Sequence, residues 1–323
     1  MNSKKIALGL LALILLVSLS ACQSPTPQPT PVAKTIHKVG IVQLAEHPAL
    51  DAATKGFQDA LTNKLGDQVQ FDVQNAQGEQ TNCTTIVNKF VNDKVSLIMA
   101  NATNAVKAAR EATSTIPIVG TSVTDYVKSG LVKSNEAPGG NVIGASDNNP
   151  VDMQVELLAA LVPDAKVVGI VYSSAEENSE IQAVEAKAAL EAKGYEVKTY
   201  TVADSNEIQT VVTKACAEVD AFYEPSDNLI ASNVPTMANI TTAANIPVIT
   251  AEESMCKGGF LATYSIDYYD LGVKAGEMAH EILVNKANPA TMPIFTFDAS
   301  NLTLFINQEV ADALGIKIPD GLK

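Results

Sequence analysis

The chain has 323 residues, 46% of them hydrophobic, and 22 Lys and Arg against 36 Asp and Glu leave a net charge of −14. So acidic a chain is a poor partner for nucleic acid or a polybasic membrane contact. Its apolar content is that of a folded protein with buried cores, not a disordered one. Four cysteines without CxxC spacing and three histidines (His37, His47, His280) argue against a zinc site.

The N-terminus opens with Lys4 and Lys5, an apolar run over residues 6–19, and then Leu19-Ser20-Ala21-Cys22. A charged start, an apolar stretch short for a bilayer and small residues before a cleavage point make residues 1–21 a signal peptide. With Cys22 as first mature residue, the segment resembles the bacterial lipobox, whose thiol is diacylated. Removing Lys4 and Lys5 takes the charge from −14 to −16. No second apolar stretch approaches the roughly 20 residues of a membrane helix, so lipid would be the only anchor. Residues 22–35 then form a spacer rich in Pro, Thr and Gln. Cys83, Cys216 and Cys256 remain; a Cys216–Cys256 bridge and free thiols are both open.

From residue 36, short apolar strands alternate with longer amphipathic segments, the pattern of an α/β chain with parallel sheets. Strands are expected at residues 38–44 (KVGIVQL), 69–73, 95–100 (VSLIMA) and 116–120 (IPIVG), with helices at 48–64, 81–92 and 104–113 between them. The plan then repeats. KVVGIVY (166–172) matches KVGIVQL, residues 220–224 match VSLIMA, IPVIT (246–250) matches IPIVG, and GGFLATYS (258–265) matches GGNVIGAS (139–146). The fold class is therefore α/β, with two similar Rossmann-like parallel-sheet lobes. Residues 146–149 cross between lobes, a helix over 269–284 returns to the first, and a last strand (293–298) and helix (307–314) need a third crossing. Lobe one is expected at 36–146 plus about 266–300, and lobe two at 147–265 plus about 301–323, joined by a three-segment hinge around a ligand cleft.

The C-terminal ends of the strands carry the chemistry. Thr103, Ser122 and Thr124 lie in loops leading toward helix N-termini, where backbone N–H groups attract a carboxylate. Asp227 occupies the repeat position of Thr103, and Asp147 stands at the crossover; carboxylates there could hold an ammonium group. Glu46 and His47 follow the first strand, Asn178 opens a second-lobe helix, and Tyr264 ends a strand. Glu252 and Glu253 read as surface charges. An anion pocket facing a cation pocket across a hinge suits a zwitterion. No nucleophile elbow, P-loop, HExxH or GxGxxG after a strand is present, so neither catalytic residues nor a cofactor or metal is expected.

The segments VGIVQLAEHPALDAATKGF, TSVTDYVKSGLV, PGGNVIGASD, GIVYSSAEENSEIQ, EPSDNLIAS and LATYSIDYYDLGVKAGEMAHEIL resemble the substrate-binding lipoproteins of ABC importers. More narrowly, they resemble the tryptophan/tyrosine (aromatic amino-acid) branch with the type I periplasmic-binding fold. The resemblance spans nearly all of residues 36–318. It implies a monomeric, non-enzymatic receptor that delivers a small molecule to an ABC permease driven by a separate ATPase. It also implies a cleft lined at Glu46, Gln77, Thr103, Thr124, Asp147, Asn178 and Asp227, with Leu44, Val123 and Tyr264 available for a ring. A receptor for another amino acid, a nucleoside or a sugar, and a surface-anchored enzyme, are the alternatives.

Overall fold

The structure is a computed structural model and describes residues 34–322. The expected signal peptide, Cys22 and nearly all of the spacer lie outside the described residues. In lobe one the chain runs β1 (His37–Gln43), α1 (Pro48–Leu65), β2 (Val69–Asn75), α2 (Gln80–Asn92), β3 (Leu97–Asn101), α3 (Thr103–Ala112), β4 (Ile118–Val123) and β5 (Val142–Ser146). In lobe two it runs α4 (Val151–Leu161), β6 (Val167–Ser173), α5 (Glu177–Ala192), β7 (Glu196–Val202), α6 (Ser205–Cys216), β8 (Ala221–Glu224), α7 (Asn228–Ala231), α8 (Val234–Ala243), β9 (Val248–Thr250), α9 (Glu253–Lys257) and β10 (Ala262–Ser265). Then come α10 (Tyr268–Leu283), β11 (Phe295–Thr296), β12 (Thr303–Ile306) and α11 (Gln308–Ala313).

The sheets have the same strand order, β11-β5-β4-β3-β1-β2 and β12-β10-β9-β8-β6-β7. All pairs are parallel except β10 with β12. Successive elements in chain order change sheet three times, after β5, after β10 and between β11 and β12. The central strands are buried on both faces, which is why they read as continuous apolar runs instead of alternating ones. In lobe one, α1 and α10 cover one face through Phe57, Leu61, Leu271 and Ala275, while α2 and α3 cover the other through Val87, Phe90, Ala105 and Val106.

Two glycines set how closely α1 and α10 approach. A Cβ on Gly272 would sit 2.0 Å from the Ala53 carbonyl oxygen, and one on Gly56 2.1 Å from that of Tyr269. The α10 helix follows β10 of lobe two, yet this contact seats it on lobe one.

The C-terminal region departs from the expectation of one strand over residues 293–298. The strand is only β11, because Asp298 accepts from the backbone of a short turn while its own N–H donates to Asn301 Oδ1 at 3.0 Å. The chain then re-enters as β12, half-buried and antiparallel on the edge of the other sheet. The cysteines Cys83, Cys216 and Cys256 are free thiols, so no Cys216–Cys256 bridge forms.

Candidate functional site

The strand registers define equivalent positions in the two lobes. Val39 pairs with Leu97 as Val168 pairs with Ala221, and Ile98 with Ile118 as Phe222 with Val248. Stepping forward from these pairs, His47 corresponds to Glu176, Thr103 to Asp227 and Ser122 to Glu252. All six lie at the C-terminal edges of the sheets. Lobe one carries hydroxyls at two steps where lobe two carries carboxyls.

The lobe-one edge is held in an unusual backbone. Ala102 has φ 89° and ψ 155°, and Ser122 has φ 55°, both left-handed without being glycine. Such residues cost on the order of 1–3 kcal/mol each and persist only where the surroundings over-determine them. The Ser122 kink coincides with a register shift between β4 and β5, and β4 runs three residues beyond the expected end of its strand. Thr103 and Ser122 are buried, and their hydroxyls have no hydrogen-bond partner. The first turn of α3 also has no side-chain cap. Thr124, likewise buried, accepts at its carbonyl from Ser146 Oγ at 2.9 Å.

Acid accumulates at the lobe boundary, with Asp147 on the crossover against lobe one, its N–H donating to the Val123 carbonyl at 3.2 Å, and the other acids in lobe two. Asp147, Glu176, Glu224, Asp227 and Glu252 are all buried, and among the described residues no Lys or Arg is buried with them. Burial pushes the Asp147 carboxyl up to about 6, although hydrogen bonds from Tyr268 (2.9 Å) and Thr124 pull the other way. Burial, with the Asp147 charge next in size, pushes Glu252 up to about 8. Glu224 is driven well above the carboxylate range, and both its oxygens lack a partner. Glu252 was expected at the surface as a solvated charge. It is instead 3% exposed, accepting from Ser254 Oγ at 3.2 Å and lying within the field of Asp147, Glu176 and Asp227.

Two of these acids are spent within lobe two. Asp227 accepts from Ser173 N–H at 2.6 Å and Ile230 N–H at 2.9 Å, capping α7 and tying it to β6. Glu176 accepts from the N–H groups of Asn228 (3.1 Å) and Leu229 (2.9 Å) and from the Asn228 side chain. Burial raises the pKa of both, and for Glu176 the charge of Asp227 adds to the effect. Asp147 and Glu224 keep unanswered capacity, Asp147 through Oδ1 and Glu224 through both oxygens, while Glu252 accepts from Ser254 Oγ at 3.2 Å.

Of the residues named from sequence, His47, Thr103, Ser122, Thr124, Asp147 and Asn178 are buried at these edges. Asn178 donates to the Ser226 carbonyl at 2.9 Å and leaves its own Oδ1 without a partner. Glu46 and Gln77 sit on the rim of an interlobe cleft of about 420 Å³, together with Asn104, Glu176, Asn228 and Ser232. Leu44 and Val123 share a core cluster in lobe one. Tyr264 packs against a lobe-two cluster, its backbone clamped by Gln154. Tyr268, weighed from sequence with Tyr264 and Tyr269 as partly core, donates to Asp147 instead. Extending the match between IPIVG and IPVIT by two residues would have exposed Glu252 as the counterpart of Ser122.

The lobes are in contact. His47 meets Asn228 at 3.1 Å, Asn104 Nδ2 donates to the Ala175 carbonyl at 3.2 Å, and Ser232 Oγ donates to that of Glu46 at 3.3 Å. Lys107 pairs with Glu177 and Lys128 with Glu185, so α5 is strapped to lobe one at two points. Among the described residues no His, Cys, Asp and Glu group could hold a metal, and no helix is long and apolar enough to cross a membrane.

Paired sheets, three crossings and a polar cleft at the strand ends are the anatomy of a two-lobed solute receptor. The family model for ABC transporter substrate-binding proteins matches residues 38–323, and the chain belongs to that family. It is 40% identical to a tyrosine-binding protein of Clostridioides difficile (strain R20291), over 88% of this chain and 83% of that one. Among solved structures, an ABC domain from Streptococcus pneumoniae in complex with L-Trp aligns with a TM-score of 0.86 at 38% identity, covering 89% of this chain and 97% of that one. A ligand-free, open substrate-binding protein with adhesive properties from Clostridium difficile is 40% identical, yet aligns at only 0.67, over 88% and 97% of the two chains. The better fit to the complex despite lower identity agrees with the cross-lobe contacts: the lobes here are shut.

Proposed function

We propose that this protein is the lipid-anchored receptor of an importer and captures a zwitterionic aromatic amino acid between its lobes. One observation carries the reading: Asp147 and Glu252 are buried acids without a cation, set against the unpartnered hydroxyls of Thr103 and Ser122. An α-ammonium group answers the first pair with charge-assisted hydrogen bonds, and an α-carboxylate answers the second together with the free N–H groups of the α3 first turn. Leu44 and Val123 supply apolar surface for the ring. The tyrosine-binding relative and the L-Trp complex support an aromatic side chain. Acylation at Cys22 would hold this monomer outside the cytoplasm beside its permease and separate ATPase, and it performs no chemistry on its cargo.

Isothermal titration of the mature protein with the amino acids tests the ligand. L-Trp or L-Tyr should bind one to one and be recovered unchanged. Failure of both, with another solute raising the melting temperature, would remove the aromatic assignment. Cys22→Ala should release the protein from the membrane without altering affinity.

A further inference from the structure

His47 has one ring nitrogen engaged and one without a partner. It lies between β1 and α1, is 4% exposed, and meets Asn228 of lobe two through Nε2. With Glu176 ionised, as it is above the pKa of about 7 to which burial and then the Asp227 charge push it, the Asn228 amide faces one way. Its Nδ2 donates to Glu176, a carboxylate that also accepts two backbone N–H groups, so Oδ1 is the atom turned toward His47. An acceptor there requires Nε2 to carry the proton. Burial lowers the pKa of the ring, against the pull of Asn228 and Asp51, and keeps it neutral. Nδ1 is therefore a lone pair, buried and without a donor among the described residues. A buried acceptor left unpaired is disfavoured, and native structures rarely keep one without a use.

Building on the function proposed above, we infer that His47 Nδ1 accepts a hydrogen bond from the ligand's ring and selects aromatic amino acids that carry a ring donor. An indole N–H or a phenol O–H satisfies Nδ1 once the lobes shut. A phenyl ring offers nothing and leaves the nitrogen stranded. The chain Glu176–Asn228–His47 is thus a tautomer lock: a carboxylate in one lobe dictates what the imidazole of the other presents to the ligand. Asn228 and Glu176 act as positioning residues, and of the three His47 alone touches the cargo.

Two near-isosteric pairs test this by calorimetry: L-Tyr against L-Phe, and L-Trp against 3-benzothienyl-L-alanine, in which sulfur replaces the indole N–H. The wild-type protein should favour the donor-bearing member of at least one pair by about 10- to 100-fold. His47→Leu should cut that preference to about threefold or less, and His47→Gln, whose amide can donate to Asn228 and accept from the ligand, should restore part of it. Equal wild-type affinities within both pairs would overturn the inference and leave the receptor function standing, as would an undiminished preference in a folded His47→Leu protein. No heat from any of the four compounds would overturn both. The wild-type comparison decides even where the variants fail to fold.

Discussion

Ser122 and Glu252 stand at the same step of two matching sheets, and the neutral one sits in a strained backbone while the acidic one does not. Ser122 has φ 55°, whereas Glu252, the N-cap of α9, has an ordinary extended φ of −127°. Lobe one therefore answers charge with hydroxyls and bent backbone, and lobe two with carboxyls. Removing acid at the lobe boundary should separate binding from folding. Asp147→Asn and Glu252→Gln should each weaken aromatic amino-acid binding by about 2–5 kcal/mol, the usual loss when one partner of a desolvated charge pair goes. Neither should lower the melting temperature of the ligand-free protein, since each replaces a buried acid that is costly to ionise with a neutral amide of the same shape. Calorimetry with thermal denaturation reads both; wild-type affinity in both variants would exclude them from the site.

Acidification should act in opposite senses on folding and on binding. Asp147 and Glu252 are raised to about 6 and about 8, so the folded protein holds protons that the unfolded chain, near pH 4, has already lost. Their stabilising contribution is complete below pH 4 and disappears as pH rises through 6 and then 8. An ammonium ligand needs the ionised forms, so affinity should climb over pH 6–8 with release of protons. Titrations in two buffers of different ionisation enthalpy measure that release, and Glu252→Gln should reduce it. An affinity independent of pH would contradict the assignment.

Asp227→Ala should behave as a folding mutation. It strips an acceptor from Ser173 N–H and Ile230 N–H, and loss of the cap alone costs about 1 kcal/mol, with more for the second buried donor. Urea denaturation should show a lower midpoint, and Asp227→Asn, which keeps an acceptor, should fall less. Unchanged stability would free Asp227 for a direct role in the cleft.

Gly272→Ala tests the seat of α10. With the Ala53 carbonyl 2.0 Å from the added carbon, the helices must separate, and overpacking of this kind costs about 1–3 kcal/mol. The melting temperature should drop clearly, and more than for Gly140→Ala, where a Cβ meets nothing within 4 Å.

The repeated strands were legible because β1, β3, β6 and β8 are short apolar runs in a fixed order, and burial on both sheet faces demands that composition. The half-buried strand β12 (TLFI) was not, having only four residues and an antiparallel partner where its edge counterpart β11 pairs in parallel. Within the site, Asp147 and His47 were legible as polar residues at strand ends. Glu252 was not: Ala251-Glu252-Glu253-Ser254 reads as a solvated turn, whereas the side chain is buried near Asp147, Glu176 and Asp227, residues distant in sequence that no local pattern encodes. Asp227 shows the converse, since the Ser-Asp-Asn run that marked it for the cleft is also a helix cap, and its two oxygens are spent on the cap and on β6.

The crowd of acids at the lobe boundary has a consequence for energy economy in transport. Shutting the lobes around water alone would press Asp147 and Glu252 together as like charges, or force a proton onto one of them; a cargo ammonium removes that conflict. On the site proposed above, the cargo becomes a structural component of the shut state, not merely its passenger. A transporter that responds to the shut state would then commit ATP chiefly to loaded receptors, with the check made by Asp147 and Glu252, beside which no lysine or arginine is buried among the described residues.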